Sequence, residues 1–254
     1  MVFDDLPILR GGAARLGVAL DEAQLAAFRR YGELLLATNE QMNLTAITEP
    51  AQVEALHFLD ALALVPAILA WCQANNIADP TLVDVGSGAG VPGIPLKIAL
   101  PALRVTLLDA TGKRVRFLQD TIAALGLSGI GAFQGRAEEV GRDRDWREQF
   151  DLVTARAVAR LPTLLEWCLP LARTGGLLLA PKAGDLAAEI AHGERAAPQL
   201  GGHLRAMQRV DLPELPGRVL VLIDKTGRTP AGYPRGGGLP AKQPLGSVDA
   251  DDDK

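Results

Sequence analysis

The stretch from Leu82 to Gly93, Leu-Val-Asp-Val-Gly-Ser-Gly-Ala-Gly-Val-Pro-Gly, constrains this chain more than any other. An apolar run carries one acid, dissolves into alternating glycines and then reaches a proline. The pattern predicts a buried strand, a tight loop and a helix start. Glycine allows positive φ and lets a ligand approach the backbone closely. Pro92 suits a first helical turn, where its missing N–H costs little. In an open α/β sheet such a loop lies at the carboxyl end of a strand, where nucleotides bind.

The rest of the chain supports that setting. Strand patterns fall at 81–86, 104–109, 130–134, 150–155, 175–181, 203–211 and 217–224, and helical patterns at 92–100, 111–126, 161–171 and 184–196. Such alternation predicts a mostly parallel sheet covered on both faces. Only Pro213-Glu214-Leu215-Pro216-Gly217 separates the last two strands, so they are expected to form an antiparallel hairpin. A Rossmann-like α/β sheet of seven strands that ends this way is unlike a dinucleotide dehydrogenase. It resembles the class I S-adenosylmethionine methyltransferases.

Upstream, helical periodicity covers Asp21 to Thr38, with Asp21 as cap, and then a stretch from Thr48-Glu49-Pro50 toward Trp71, with Thr48 as cap and Pro66 expected to kink or divide it. Asn75-Asn76 and Asp79-Pro80 supply a linker. The expected organisation is an N-terminal helical extension over 1–75, a methyltransferase domain over 76–245, and a processing remnant or tail over 246–254.

Composition narrows the function classes. No apolar run is expected to reach the ~20 residues of a membrane span, and Asp4 and Asp5 open the chain where a secretory signal would be basic. A cytoplasmic monomer is the expectation. Cys72 and Cys168 sit in apolar helical stretches and read as buried, reduced thiols. No Cys/His spacing suits a metal. The net charge is −4, and removing the four Asp and one Lys of the tail leaves −1. RNA contact therefore needs a local basic patch.

On its residues the glycine loop has two registers. Gly86, Gly88 and Gly90 give GxGxG; Gly88, Gly90 and Gly93 give the dinucleotide GxGxxG. Asp109 ends the next strand, where a carboxylate reaches ribose hydroxyls, a group shared by NAD and S-adenosylmethionine. After the third strand, Ala137-Glu138-Glu139 is either a solvated first helical turn or an acid-bearing loop that takes the adenine amine. With the terminal hairpin, these acids favour the methyl donor, and Gly93 becomes a helix-packing glycine.

The fourth strand ends in Thr154-Ala155-Arg156-Ala157. It has no Asn-Pro-Pro-Tyr or Asp-Pro-Pro-Tyr segment for exocyclic amines and no cysteine for attack on a pyrimidine ring. No general base is evident. Guanine N7, with an exposed lone pair and no proton to lose, is permitted by that absence.

Specific motifs carry a closer resemblance. Asn43-Leu44-Thr45-Ala46-Ile47, then Glu54, His57 and Asp60, precede the glycine segment. Gly112-Lys113-Arg114, Phe117-Leu118, Arg136-Ala137-Glu138-Glu139, the Arg156 segment, Lys182 with Gly184, and Pro230, Tyr233-Pro234-Arg235, Gly238, Pro240, Lys242 and Pro244-Leu245 follow. Over roughly 20–245 the chain resembles the RsmG (GidB) family of bacterial small-subunit rRNA guanine-N7 methyltransferases. Ala61 departs from the serine usual there. The resemblance implies S-adenosylmethionine held at positions matching Gly86, Gly88, Gly90, Val91, Asp109, Ala110, Thr111, Ala137, Glu138 and Arg156. It implies a target in a 16S rRNA loop, free or within the small ribosomal subunit.

His57 reads either as a core histidine or as a substrate-side group, with Asp60 one turn on to orient it. Lys113, Arg114 and Arg116 form a solvated basic face or a phosphate contact. Lys182, Arg235 and Lys242 join the expected RNA-facing set, with Arg228 in a shaped Pro/Gly segment. Trp71, Trp146 and Trp167 read as packing residues. An NAD-dependent dehydrogenase and a non-catalytic RNA-binding protein are the competing classes.

Overall fold

Seven strands form one sheet in the order β3-β2-β1-β4-β5-β7-β6 in a computed structural model that describes residues 3–246. The strands are β1 Thr81–Val85, β2 Arg104–Asp109, β3 Ile130–Gln134, β4 Phe150–Thr154, β5 Ala172–Ala183, β6 Gly202–Arg209 and β7 Arg218–Lys225. β1 through β5 are parallel neighbours, and β7 inserts antiparallel between β5 and β6. The expected hairpin is present, and its second strand joins the parallel part of the sheet.

Alternation assigns each strand residue to a face. Leu82, Leu107, Leu152, Leu177 and Leu222 enter one core, and Val83, Leu108, Val153, Leu178 and Val221 the other. The first core is covered by α6 Gly93–Ala99, α7 Gly112–Ala124 and the whole N-terminal helical region. The second is covered by α8 Ala137–Val140, α9 Leu161–Cys168 and α10 Ala187–Ala196, with the short α11 Leu239–Lys242 beyond.

The N-terminal region comprises α1 Pro7–Arg15, α2 Glu22–Met42, α3 Pro50–Val53, a π-helical turn Glu54–Leu59, α4 Asp60–Leu62 and α5 Val65–Asn75. Its apolar residues and the sheet's share one core, so it has no separate interior. Phe58 stands at its centre, 5.2 Å from Phe28 and 5.5 Å from Tyr31. Tyr31 in turn donates to Ala89 O at 2.7 Å and ties α2 to the glycine loop.

Local signals explain most ends. Asp21 caps α2 through a capping box with Gln24, and α2 runs on to Met42. Asn76, at φ 53, ends α5 in the left-handed conformation that asparagine tolerates. Two caps differ from expectation. Glu49, not Thr48, is the cap of α3, with Pro50 in the first turn, and Pro92 is the cap of α6 rather than its first residue. The break at Ala63–Leu64 places Pro66 in the first turn of α5, which confirms it as the dividing residue. The π turn breaks the simple periodicity that a single long helix would need.

One expectation is corrected: Pro50–Asn75 is 26 residues whose most apolar window has a mean hydropathy of 1.8, long and apolar enough to cross a membrane by length and composition alone. Its most apolar window is 61% buried inside the protein, as a core helix would be. Cys168 is buried, but Cys72 is only half-buried. The proposed tail lies, beyond Gly246, outside the described residues.

Candidate nucleotide and acceptor site

The chain runs outward from β1 to β3 on one side and from β4 to β5 on the other. The crevice at that reversal, at the carboxyl ends of β1 and β4, is where ligands bind in such sheets. Two adjoining cavities open there, of about 170 and 370 Å³, and Gly86 lines both.

The glycine loop is shaped by backbone demands. Gly86, Gly88 and Gly90 all have positive φ, from 56° to 96°. A Cβ on Gly88 would meet only Gly86 O, at 3.9 Å, so its open side faces free space. Gly93 is different: a Cβ there would overlap Leu107 and stand 3.0 Å from Asp84 Oδ2. It is the packing glycine expected from the sequence.

Two carboxylates fix the loop. Asp84, fully buried at the end of β1, accepts from Gly93 N at 3.0 Å. Burial pushes its pKa up to about 7, partly offset by that hydrogen bond and by Arg156. Asp109 accepts from Gly88 N at 2.9 Å and Thr111 N at 2.8 Å, with Arg114 at 3.8 Å. Asp109 and Thr111 line neither cavity; Asp109 is 4% exposed and holds the loop from behind.

The smaller cavity is walled by Ala110, Gly135, Ala137, Val158 and Trp167, with Glu138 half-buried at its edge. Trp167 Nε1 is buried with no hydrogen-bond partner among the described residues. An apolar slot with a carboxylate at its edge suits adenine, whose exocyclic amine is a donor. Trp167 is thus a cavity wall, not simply a packing residue. Trp71 is buried in the core, and Trp146 packs edge-on to Phe133 at 5.3 Å.

The larger cavity is lined by Thr45, His57, the glycine loop with Val91, Arg114, Arg156 and Ala157. The π turn delivers His57 to it, and Asp60, buried at the start of α4, lies behind. Arg156 Nη1 donates to Asp60 at 3.0 Å and to Leu56 O at 2.6 Å, and its Nη2 donates to His57 Nδ1 at 3.1 Å. Nδ1 also lies 3.2 Å from Leu56 O, but that carbonyl already accepts from Arg156 Nη1, and a proton on Nδ1 would face the Nη2 donor; we therefore assign the ring proton of His57 to Nε2, which donates to Thr45 Oγ1 at 3.0 Å. Burial and the Arg156 charge lower the His57 pKa to about 4, so it is neutral at pH 7. Asp60 also pairs with Arg218 of β7 at 2.6 Å. Nothing in the sequence connects that arginine to the site; only β7's insertion beside β5 brings it near.

The basic residues divide into two groups. Lys113, Arg116, Arg136, Arg160, Arg209 and Lys242 are exposed. Lys113, Arg136 and Arg160 follow the carboxyl ends of β2, β3 and β4. Lys182 and Arg235, expected to face RNA, are turned inward instead. Lys182 pairs with Glu189 at 2.6 Å and donates to Ala159 O. Arg235 grips Glu166, which has no exposed surface, through Nε and Nη2. The C-terminal segment is a shaped strap, as its prolines suggested. Arg147 donates to Thr229, Pro230 and Tyr233 carbonyls, and Arg142 to Pro234 O.

Comparison with known proteins agrees with this geometry. A family model described as rRNA small subunit methyltransferase G matches residues 24–214. A relative from Exiguobacterium sp., named ribosomal RNA small subunit methyltransferase G, is 46% identical over 230 residues, 90% of this chain and 94% of its own. One of the same name from Roseiflexus sp. is 45% identical over 240 residues, 94% of this chain and 100% of its own. Among solved structures, a mutant of MtNAS in complex with S-adenosylmethionine superposes with TM-score 0.51 at 14% identity, covering 87% of this chain and 78% of that one. A branched-chain polyamine synthase from Thermus thermophilus gives TM-score 0.50 at 18% identity, covering 67% and 57%. Those two likenesses bear on the fold alone.

Proposed function

The chain belongs to the rRNA small subunit methyltransferase G family, and from that premise we propose that it transfers a methyl group from S-adenosylmethionine to N7 of a guanine in a loop of 16S rRNA. The lining of the larger cavity carries the choice of atom. It holds no carboxylate and no cysteine, and its only histidine has a pKa near 4. A general base works best with a pKa near the operating pH, so the acceptor must bring its own free lone pair. Guanine N7 does.

Bound S-adenosylmethionine supplies an electrophilic methyl group on a positively charged sulfur. Glu138 would take the amine of its adenine, with Trp167 as a wall of the slot. Asp109 acts on the cofactor through the loop it holds, by way of Gly88 N and Thr111 N. Gly86, Gly88 and Gly90 admit the amino-acid end, with Arg156 as the cation for its carboxylate. What the chain adds to the reaction is alignment and exclusion of water, which together lower a barrier substantially. The exposed cations Lys113 and Arg136 and the half-buried Arg114 place the RNA backbone, with His57 and Lys242 at the substrate side. In this reading the protein acts as a cytoplasmic monomer.

The test is transfer of radiolabelled methyl to 16S rRNA lacking the modification, followed by mapping of the labelled base. Label on N7 of a guanine supports the proposal. Label on protein, on free nucleosides or on another atom overturns it, and binding of NADH in place of S-adenosylmethionine would revive the dehydrogenase alternative.

A further inference from the structure

We propose that Thr45 reads the exocyclic group beside the methylated nitrogen, and selects guanine over adenine because its hydroxyl can only donate. This rests on guanine N7 being the acceptor atom.

A hydroxyl has one proton and two lone pairs. Ile47 N donates to Thr45 Oγ1 at 3.0 Å. His57 Nε2 occupies the other lone pair, also at 3.0 Å. The direction of that second bond is enforced from behind. Arg156 cannot accept, and its Nη1 fills Leu56 O, the one carbonyl beside Nδ1 of His57 at 3.2 Å, so Nδ1 is assigned as an acceptor from Nη2 and the proton as resting on Nε2. Only the Thr45 proton is left unspoken for, on a side chain that lines the larger cavity.

The loop is built to hold it there. Asn39 Oδ1 accepts from Thr45 N at 2.8 Å, and Asn43 ends α2 in the left-handed conformation at φ 49. A donor fixed before the ligand arrives needs no reorganisation when the reaction begins. Thr45 and Ile47 are half-buried and Ala46 is exposed, whereas Ser87, Ala89 and Val91 opposite are buried. The Thr45 loop is therefore the rim by which a base enters, and the glycine loop is the floor.

On the major-groove edge guanine presents N7 and O6, both acceptors. Adenine presents N7 and an amine that donates. A base that turns N7 toward the methyl donor brings its exocyclic group alongside. A hydroxyl with both lone pairs filled satisfies O6 and has nothing to offer an amine. Thr45 is the specificity residue and His57 the positioning residue that fills its lone pair.

The experiment uses the full chain, S-adenosylmethionine and 16S rRNA assembled by ligation with either guanine or 2-aminopurine at the mapped position. 2-Aminopurine keeps N7 and the 2-amino group and lacks O6. For the wild type, kcat/KM is expected to fall by about 10- to 100-fold on the analogue, the range of a lost hydrogen bond in a desolvated site. Thr45→Val should lose a similar factor on guanine and suffer less than about threefold further on the analogue, while Thr45→Ser restores the discrimination. S-Adenosylmethionine affinity should stay within about twofold throughout. An equal analogue penalty in wild type and Thr45→Val overturns the inference, as does a cofactor affinity that falls about tenfold in Thr45→Val. A wild type that leaves the rRNA guanine unmethylated sinks instead the function on which the inference rests.

Discussion

The guanidinium of Arg156 donates at 3.0 Å to the carboxylate of Asp60, which is fully buried and lies 96 residues earlier in the chain. The other oxygen of Asp60 faces Arg218 at 2.6 Å. One buried anion thus compensates two cations and ties the N-terminal helices to the end of β4 and the start of β7. Breaking a buried pair by removing one partner costs about 3–5 kcal/mol, because charge is left uncompensated. Asp60→Asn should lower stability by about 3 kcal/mol in urea titration and weaken cofactor binding through a displaced Arg156. Wild-type stability in that variant would contradict the role given to this pair.

Two glycines of one motif should fail in opposite ways. Gly88→Ala meets no neighbour closer than 3.9 Å and costs only the strain of its φ of +56°, about 1 kcal/mol. Its methyl group projects into the cavity, so S-adenosylmethionine affinity by calorimetry should drop at least tenfold with a small change in Tm. Gly93→Ala forces Leu107 and Asp84 apart and should cost about 1–3 kcal/mol of stability. Equal loss of Tm in both variants would refute the division.

Asp84 gives a signature in pH. Its folded-state pKa, raised by burial to about 7, exceeds the ordinary 3.8. Such an acid stabilises the fold fully below the unfolded value and loses that contribution as pH rises through the folded one. Asp84→Asn keeps an oxygen for Gly93 N–H and removes the ionisation. The stability of the variant relative to wild type should therefore rise between about pH 4 and pH 7 and then level off. Denaturant titrations that give a constant difference over that range would exclude the assignment.

The sheet was legible because its strands are contiguous apolar runs with glycine, proline and acid at their ends. β2 and β3 fall at the residues expected, and the two cores follow from simple alternation. The glycine loop and Glu138 were legible for the same local reason. What stayed hidden depends on long-range placement. The donor-only state of Thr45 needs His57 and Arg156 together, and Arg156 lies 99 residues from His57. Trp167 sits in an apolar helix indistinguishable from core by periodicity. α1 and the π turn carry no distinctive spacing. Lys182 and Arg235 looked like free cations because their carboxylates, Glu189 and Glu166, lie 7 and 69 residues away with nothing local to signal the pairing.

That last distinction separates structural from RNA-facing cations by salt dependence. Each phosphate contact adds close to one unit to the slope of log K against log salt. Arg136 lines the smaller cavity, is exposed and has no carboxylate partner among the described residues. Arg136→Ala should weaken rRNA binding and reduce the slope by about one. Arg235→Ala should leave the slope unchanged and lower Tm instead, since it strands Glu166 without its partner at the base of the C-terminal strap. The loss in stability should be about 3 kcal/mol, the cost of a buried carboxylate left unpaired. If Arg235→Ala reduced the slope and kept its Tm, Arg235 would face the rRNA after all, and its grip on Glu166 would have to open on binding.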